Sequence, residues 1–414
     1  MKRRVVVTGM GLLSPLGHDV ESSFQNMIDG RNGIGFIESW DTSTWKVKIA
    51  GEIKALDFER YLDKKEVKRS DRVMNLAMVA TEEAYQQSGL KDAKLNPFRV
   101  GTYVGSGIGG LTTIFEETKT SVTRGQDRIS PFFIPNSIIN LIGAKIGIKY
   151  QAKGPNMPQV TACSAATNSI GEAFRAIRDG YIDVAIAGGA EAPINELGIG
   201  GFASLRALNF SNDPEIASVP FDIRRNGFVI AEGAGILILE DLEHAQNRKA
   251  QIIAEMVGYG TTSDAYHMTA PDEEAIGITE CLKLAIEDAH ISPEALGYIN
   301  AHGTSTVLND RLETLGIKKA LGPHSYQVNI SSTKSMTGHA LGAAGAIETI
   351  AVIKALQTGM IPPTIHLNEP DPECDLNYTP NHAVYRPMDY AMNINIGFGG
   401  QNAAIIFKRW HHET

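Results

Sequence analysis

Three residues stand in turns where a side chain could do chemistry. Cys163 lies in QVTACSAATNSIGEAF, His302 in YINAHGTSTVLND and His339 in SSTKSMTGHALGAAGAIE. Cys163 sits between a strand-like run and a helical one, so its thiol is expected at a helix N-terminus. Free backbone N–H groups and the helix dipole there favour the thiolate, the reactive form. A small buried core cysteine is the alternative. Neither histidine has HExxH or paired metal-ligand spacing, so no metal site is predicted. Each of the three turns runs from a strand through a polar residue and a small one into a helix. One thiol with two distant imidazoles suits acyl-thioester chemistry: the sulfur attacks, and imidazole N–H groups stabilise charge on an oxygen.

Other residues could tune such a site. Lys334 precedes His339 by five residues, with Glu313 as its expected partner. Glu348, in an apolar helix, must find a partner if buried. The segment IGFGGQN (Ile396–Asn402) reads either as a plain hairpin or as a gate whose backbone N–H donates to an oxyanion. GSGIGG (Gly105–Gly110) matches a dinucleotide-binding fingerprint, but no acidic residue ends a second strand about twenty residues later. A nucleotide-dependent oxidoreductase is therefore disfavoured, and Ile108 is expected to line an acyl pocket. Lys64, Lys65, Lys68, Arg69 and Arg72 are predicted to share one broad helical face, either solvated or docked on an acidic carrier. Cys281 and Cys374 lack any such setting and read as structural.

The elements that must position these residues alternate. Strands are predicted at 4–7, 99–104, 183–187, 236–239, 298–300 and 330–332, and a terminal hairpin from 394–396 and 403–407. Helices are predicted at 70–88, 165–178 and 276–290. That alternation implies an α/β fold. The segments 163–182 and 338–361 share a design, each running from a small-residue turn through a Gly/Ala-rich helix. They suggest two halves meeting near residue 250, with the site between them.

Of 414 residues, 43% are hydrophobic and 21% charged, as in ordinary globular chains. A net charge of −9 argues against nucleic-acid binding, which needs a large basic surface. Three cysteines without CxxC spacing fit a reduced, cytoplasmic setting. Thr8, Gly9, Gly11 and Ser14 break the apolar run after the basic start, so a strand is expected there and not a secretory signal. Glu348 and Lys354 interrupt the apolar stretch 340–356, which reads as a core helix and not a membrane span.

With these residues in view, the sequence resembles the β-ketoacyl-acyl-carrier-protein synthases, and within them the type II enzymes. The resemblance rests on TACSAA around Cys163, NAHGTST around His302, STKSMTGHALGAAGA around His339 and GFGG at Gly397–Gly400, with TSDAYHMTAP and SPFFIP pointing to type II. It implies a thiolase-like fold, two similar α/β halves (1–250 and 251–412) in a five-layered αβαβα core, acting as a homodimer. Cys163 would carry the acyl chain, while His302 and His339 polarise a malonyl thioester during decarboxylation. The N–H groups of Cys163 and Phe398 would form the oxyanion hole. Thr304 and Thr306 would contact the pantetheine arm, and Ile108 and Phe202 the acyl chain. Lys65, Lys68, Arg69 and Arg206 would meet the acidic carrier protein. No cofactor or metal is required, because loss of CO2 drives the condensation. The rival is a catalytically silent partner that sets chain length or binds carrier. Two departures stand out: Ile394-Asn395-Ile396 replaces the common Asn-Ser-Phe before GFGG, and Ala166 stands where glycine is frequent.

Overall fold

A computed structural model describes residues 2–411. Nine strands carry the architecture: β1 (Val5–Leu13), β2 (Val100–Gly105), β3 (Val184–Glu191), β4 (Gly233–Asp241), β5 (Ala254–Ser263), β6 (Leu296–Asn300), β7 (Asn329–Ser331), β8 (Tyr390–Gly397) and β9 (Gln401–Arg409). The helices that pack on them are α1 (Arg72–Ser88), α2 (Leu111–Arg124), α3 (Asn140–Tyr150), α4 (Ala165–Arg178), α5 (Glu196–Ser204), α6 (Ile276–Asp288), α7 (Val307–Leu321) and α8 (Ala344–Thr358).

The strands run in the order β2-β3-β4-β1-β5-β9-β8-β6-β7. On the N-terminal side, β1 pairs antiparallel with β4, β4 antiparallel with β3, and β3 parallel with β2. On the C-terminal side, β5, β9, β8 and β6 repeat that pattern, and β7 extends it. A three-residue ladder joins the two sheets, from Val5–Val7 to Ala254–Met256. Strands β1, β3 and β4 are buried along their whole length. Such continuous apolar runs belong to sheets covered on both faces.

The layers follow. Helix α1 covers β1 and β4 from outside, α6 covers β5 and β9 with α7 beside it, and α4 and α8 pack together between the sheets. This is the five-layered αβαβα arrangement. Helix α8 is buried from Ala344 through Leu356, as expected of a central helix and not of a surface one. Among the described residues, no helix is long and apolar enough to cross a membrane.

The basic segment does not form one helical face. A short helix, Lys64–Arg69, ends at Ser70, and Asp71 caps the next by accepting from the Val73 N–H. The cause is the cap itself, since an aspartate with extended backbone angles starts a new helix. Arg72 turns inward to the buried Glu232, at 2.6 Å, and leaves the surface group.

Candidate active site

The chemistry-bearing turns gather at the carboxyl ends of the parallel strands, where α/β folds place their ligand sites. GSGIGG ends β2, Glu191 ends β3, His302 follows β6, and Phe398 follows β8. Cys163 lies in a 3-10 turn, Ala162–Ser164, that leads into α4. Ala162 has φ +49°, a strained value for a residue with a Cβ. The matching turn before α8 is Leu341–Ala343, and Leu341 has φ +44°. The structural counterpart of Cys163 is therefore Gly342, not His339, which stands three residues earlier. The repeat suggested by the sequence is present with that shift.

Cys163 Sγ and His339 Nε2 are 3.0 Å apart, and the rings of His339 and His302 meet edge-to-face at 5.4 Å. The sulfur and a nitrogen from each ring lie within 4.8 Å of one another, all buried. Three such ligands could hold a thiophilic cation, but the Lys334 ammonium beside His302 opposes a second positive charge there. A cavity of about 420 Å³ opens onto Cys163, His302 and His339. Thr304, Thr306, Phe202 and Arg206 also line it.

Lys334 is buried and pairs with Glu348, not with Glu313. Its Nζ also donates to the His302 carbonyl at 2.6 Å and to His302 Nδ1 at 3.4 Å. Glu313 instead accepts the backbone N–H groups of His302 and Gly303, at 2.6 and 2.8 Å, and so clamps the histidine turn. Burial pushes its carboxyl up to about 7. Asn395 donates to the second oxygen of Glu348 at 2.8 Å.

Removal from water sets the protonation states. It holds both imidazoles well below their ordinary 6.5, with the Lys334 charge acting in the same direction. Both rings are therefore neutral near pH 7. Burial also pushes the Cys163 thiol up to about 12, against the opposing pull of Lys334 and the Phe398 N–H. The resting group is a thiol, contrary to the thiolate expected at a helix N-terminus: desolvation outweighs the dipole.

The Phe398 N–H faces the sulfur, and the Ser164 hydroxyl ties the Cys163 turn to the hairpin by donating to Gln401 O at 2.6 Å. IGFGGQN is thus a hairpin turn, with Gly397 paired to Gln401, and its backbone faces the sulfur. The Phe398 side chain is only partly covered, at 36% exposed.

GSGIGG proves to hold an anion, though not a phosphate. Buried Glu191 accepts from Gly107 N–H at 2.6 Å, Ile108 N–H at 3.1 Å and the Ser106 hydroxyl at 2.9 Å. It also accepts from Gly342 N–H at 2.8 Å, joining the loop to the turn before α8. The glycine nest that would cradle a phosphate is filled by the chain's own carboxylate. Ile108 lies in an apolar cluster with Leu341, Phe228 and Phe202. Phe202 reaches the open cavity, whereas Ile108 sits behind it.

The docking candidates separate. Lys65, Lys68 and Arg69 are exposed on the short helix, where Lys65 and Arg69 line a second groove with Phe132. Arg206 sits on the rim of the cavity that opens onto Cys163. Sequence reasoning missed Glu191 and the roles of Asn395 and Arg72. A carboxylate directly after an apolar strand was the available signal for Glu191.

Residues 2–245 match the family described as "Beta-ketoacyl synthase, N-terminal domain", and residues 253–368 match "Beta-ketoacyl synthase, C-terminal domain". A protein of Synechocystis sp. named 3-oxoacyl-[acyl-carrier-protein] synthase 2 is 47% identical over 410 residues, 99% of each chain. A solved β-ketoacyl synthase from Burkholderia phymatum superposes with a TM-score of 0.91 at 32% identity, over 99% of this chain and all of the other. A ketosynthase solved with its acyl carrier protein, from a type II polyketide system and bound to a hexaketide, gives 0.90 at 34%, with the same coverage. From the turn that carries the sulfur to the hairpin that faces it, this chain belongs to the β-ketoacyl synthase family.

Proposed function

We propose that the protein is a 3-oxoacyl-acyl-carrier-protein synthase that elongates fatty acyl chains by decarboxylative Claisen condensation. The observation that carries this reading is the 3.0 Å contact between the Cys163 thiol and a neutral His339, with His302 alongside at the floor of one open cavity.

The cycle has two halves. An acyl thioester enters on its carrier, and the Cys163 sulfur, held 3.0 Å from His339 Nε2, gives up its proton as it attacks the carbonyl. The leaving pantetheine thiolate takes that proton, so charge balances and an acyl-Cys163 thioester remains. N–H groups of Cys163 and Phe398 stabilise the oxyanion. A malonyl thioester then binds, and its carboxylate leaves as CO2. His302 and His339 donate N–H bonds to the enolate oxygen, which neutral imidazoles can do without becoming acids. The enolate carbon attacks the acyl-Cys163 carbonyl, the C–S bond breaks, and the released thiolate takes up a proton. No step calls on a cofactor.

Thr304 and Thr306, whose hydroxyls are 3.0 Å apart, are suited to hydrogen-bond a pantetheine arm. Phe202, backed by Ile108, would meet the acyl chain. Lys65, Lys68 and Arg69, with Arg206 at the rim, would meet an acidic carrier. We also propose a homodimer. Ile134 and Ile138 leave apolar surface exposed beside the groove, as do Met157 and Val160 on the segment bridged to the outer strand β2. Such grouped exposure marks an interface. A reduced, cytoplasmic setting suits three free buried cysteines.

Substitution at the nucleophile tests the reading. Cys163→Ala is expected to lose condensation by at least about 10³-fold, while Cys163→Gln keeps malonyl decarboxylation without condensation. Retained condensation in the alanine variant would defeat the proposal and leave a chain-length or carrier-binding role.

A further inference from the structure

Asn395 stands in the tripeptide that departs from the common Asn-Ser-Phe, and it is completely buried. Its amide uses its full hydrogen-bonding capacity. Oδ1 accepts from the Thr167 hydroxyl and from Asn393 Nδ2, the latter at 2.9 Å. Nδ2 donates to Glu348 Oε2 at 2.8 Å and lies 3.4 Å from His302 Nδ1. The orientation is determined by these neighbours. A flipped amide would set its oxygen against the Glu348 carboxylate and its NH2 against that of Asn393.

That orientation constrains the imidazole. Two groups face His302 Nδ1, the amide NH2 of Asn395 and the ammonium of Lys334, each at 3.4 Å. Both are donors, so a proton on Nδ1 would be opposed from either side. We propose that Asn395 is a positioning residue for the condensation, fixing His302 with its proton on Nε2 and thereby readying a donor for the enolate oxygen.

Lys334 alone does not account for this. Its closest partners are Glu348 and the His302 carbonyl, and its contact with Nδ1 is the longest of its three. Asn395 adds a donor without adding charge. It also spans three elements: Thr167 on α4, the helix that follows Cys163; Glu348 on α8; and the His302 turn after β6. A serine side chain, one carbonyl shorter, cannot span from Thr167 to Glu348. The departure from the common tripeptide therefore builds a bridge between the nucleophile's helix and the imidazole that acts in the second half-reaction.

This inference rests on the condensing-enzyme reading, and the experiment separates the two. Protein labelled with 15N in histidine side chains is examined by long-range 1H–15N NMR, with His302 assigned by comparison with His302→Gln. The ring of the parent protein is expected in the Nε2–H form alone. In Asn395→Leu, of similar size but without donors, the Nδ1–H form should appear. In the Cys163→Gln background, the same change should lower kcat for malonyl-carrier decarboxylation about tenfold or more with KM unchanged. With Cys163 present, its acylation rate should stay within about twofold, because that step uses His339. A purely structural role would weaken both half-reactions together and leave the tautomer as it was. An unchanged Nε2–H ring in Asn395→Leu, or decarboxylation within about twofold of the parent, would overturn the proposal. If the leucine variant does not fold, Asn395→Ala gives the same two readings with the donor to Nδ1 equally removed. Absence of decarboxylation in Cys163→Gln with Asn395 intact would count against the enzymatic reading, while the tautomer would still decide this one.

Discussion

Cys163, His302 and His339 are uncharged at rest for one reason: all three are removed from water. The consequences have a definite sign. A histidine whose folded pKa is lowered gains its proton only at a pH below its ordinary 6.5. The acid limb of malonyl decarboxylation is therefore expected below pH 6.5, with a flat rate above it. The Lys334 charge lowers both imidazoles further, so Lys334→Met should move that limb upward, as a pH–rate profile in the Cys163→Gln background would read. An acid limb at or above 6.5 in the parent would contradict the account. For the thiol, pushed up to about 12, alkylation by a neutral reagent should rise about tenfold per pH unit from 7 to 9 without a plateau. At this scale the sequence pointed to the three side chains that the fold brings together, because each sits in a short turn with recognisable neighbours. It did not reveal their partners. Glu313 and Glu348 are both carboxylates within reach along the chain, and only the placement of α8 under the His302 turn gives Lys334 to Glu348.

Elements meet at the site through contacts too close for side chains. Gly342, the counterpart of Cys163, lies where a Cβ would come 2.3 Å from Gly107 N and 2.5 Å from Glu191. Gly345, one turn further, would set a Cβ 2.0 Å from the Thr167 hydroxyl, which is why α4 and α8 can approach. Gly342→Ala is expected to cost about 1–3 kcal/mol of stability by overpacking, read as a lower urea midpoint at unchanged slope. A neutral result would show that the GSGIGG loop can yield. The alternating strands and helices were legible from their periodicity and turn residues. The break in the basic segment was not foreseen, although Ser70-Asp71 before an apolar helical pattern is a capping signal. The purpose of GSGIGG was also hidden, because its ligand, Glu191, is distant in sequence and belongs to the chain itself.

The whole molecule is acidic, at −9, and the function proposed for it would bring an acidic carrier to that body. A local basic face on a net-negative body gives orientation as well as attraction. Among the described residues, Lys65, Lys68 and Arg69 make no salt bridge, and Arg69 stacks its cation on Phe132 at 5.7 Å. Charge reversal at Lys65 and Arg69 should raise KM for carrier-borne substrates at least about fivefold at low salt, with little change in kcat. That difference should shrink as salt is added. Equal KM values would remove these residues from the docking face. The two-halved, five-layered plan was implied by family resemblance more than by composition, since a pseudo-repeat of strand order leaves only a faint trace in residue identities.

The most direct measurement is the intact mass of the protein after exposure to an acyl-carrier substrate alone. The account predicts one acyl group per chain, located on the peptide containing Cys163. Later addition of malonyl-carrier should discharge it with one CO2 and one 3-oxoacyl-carrier for each acyl group lost. An adduct elsewhere, or product formed while Cys163 stays unmodified throughout, would contradict it.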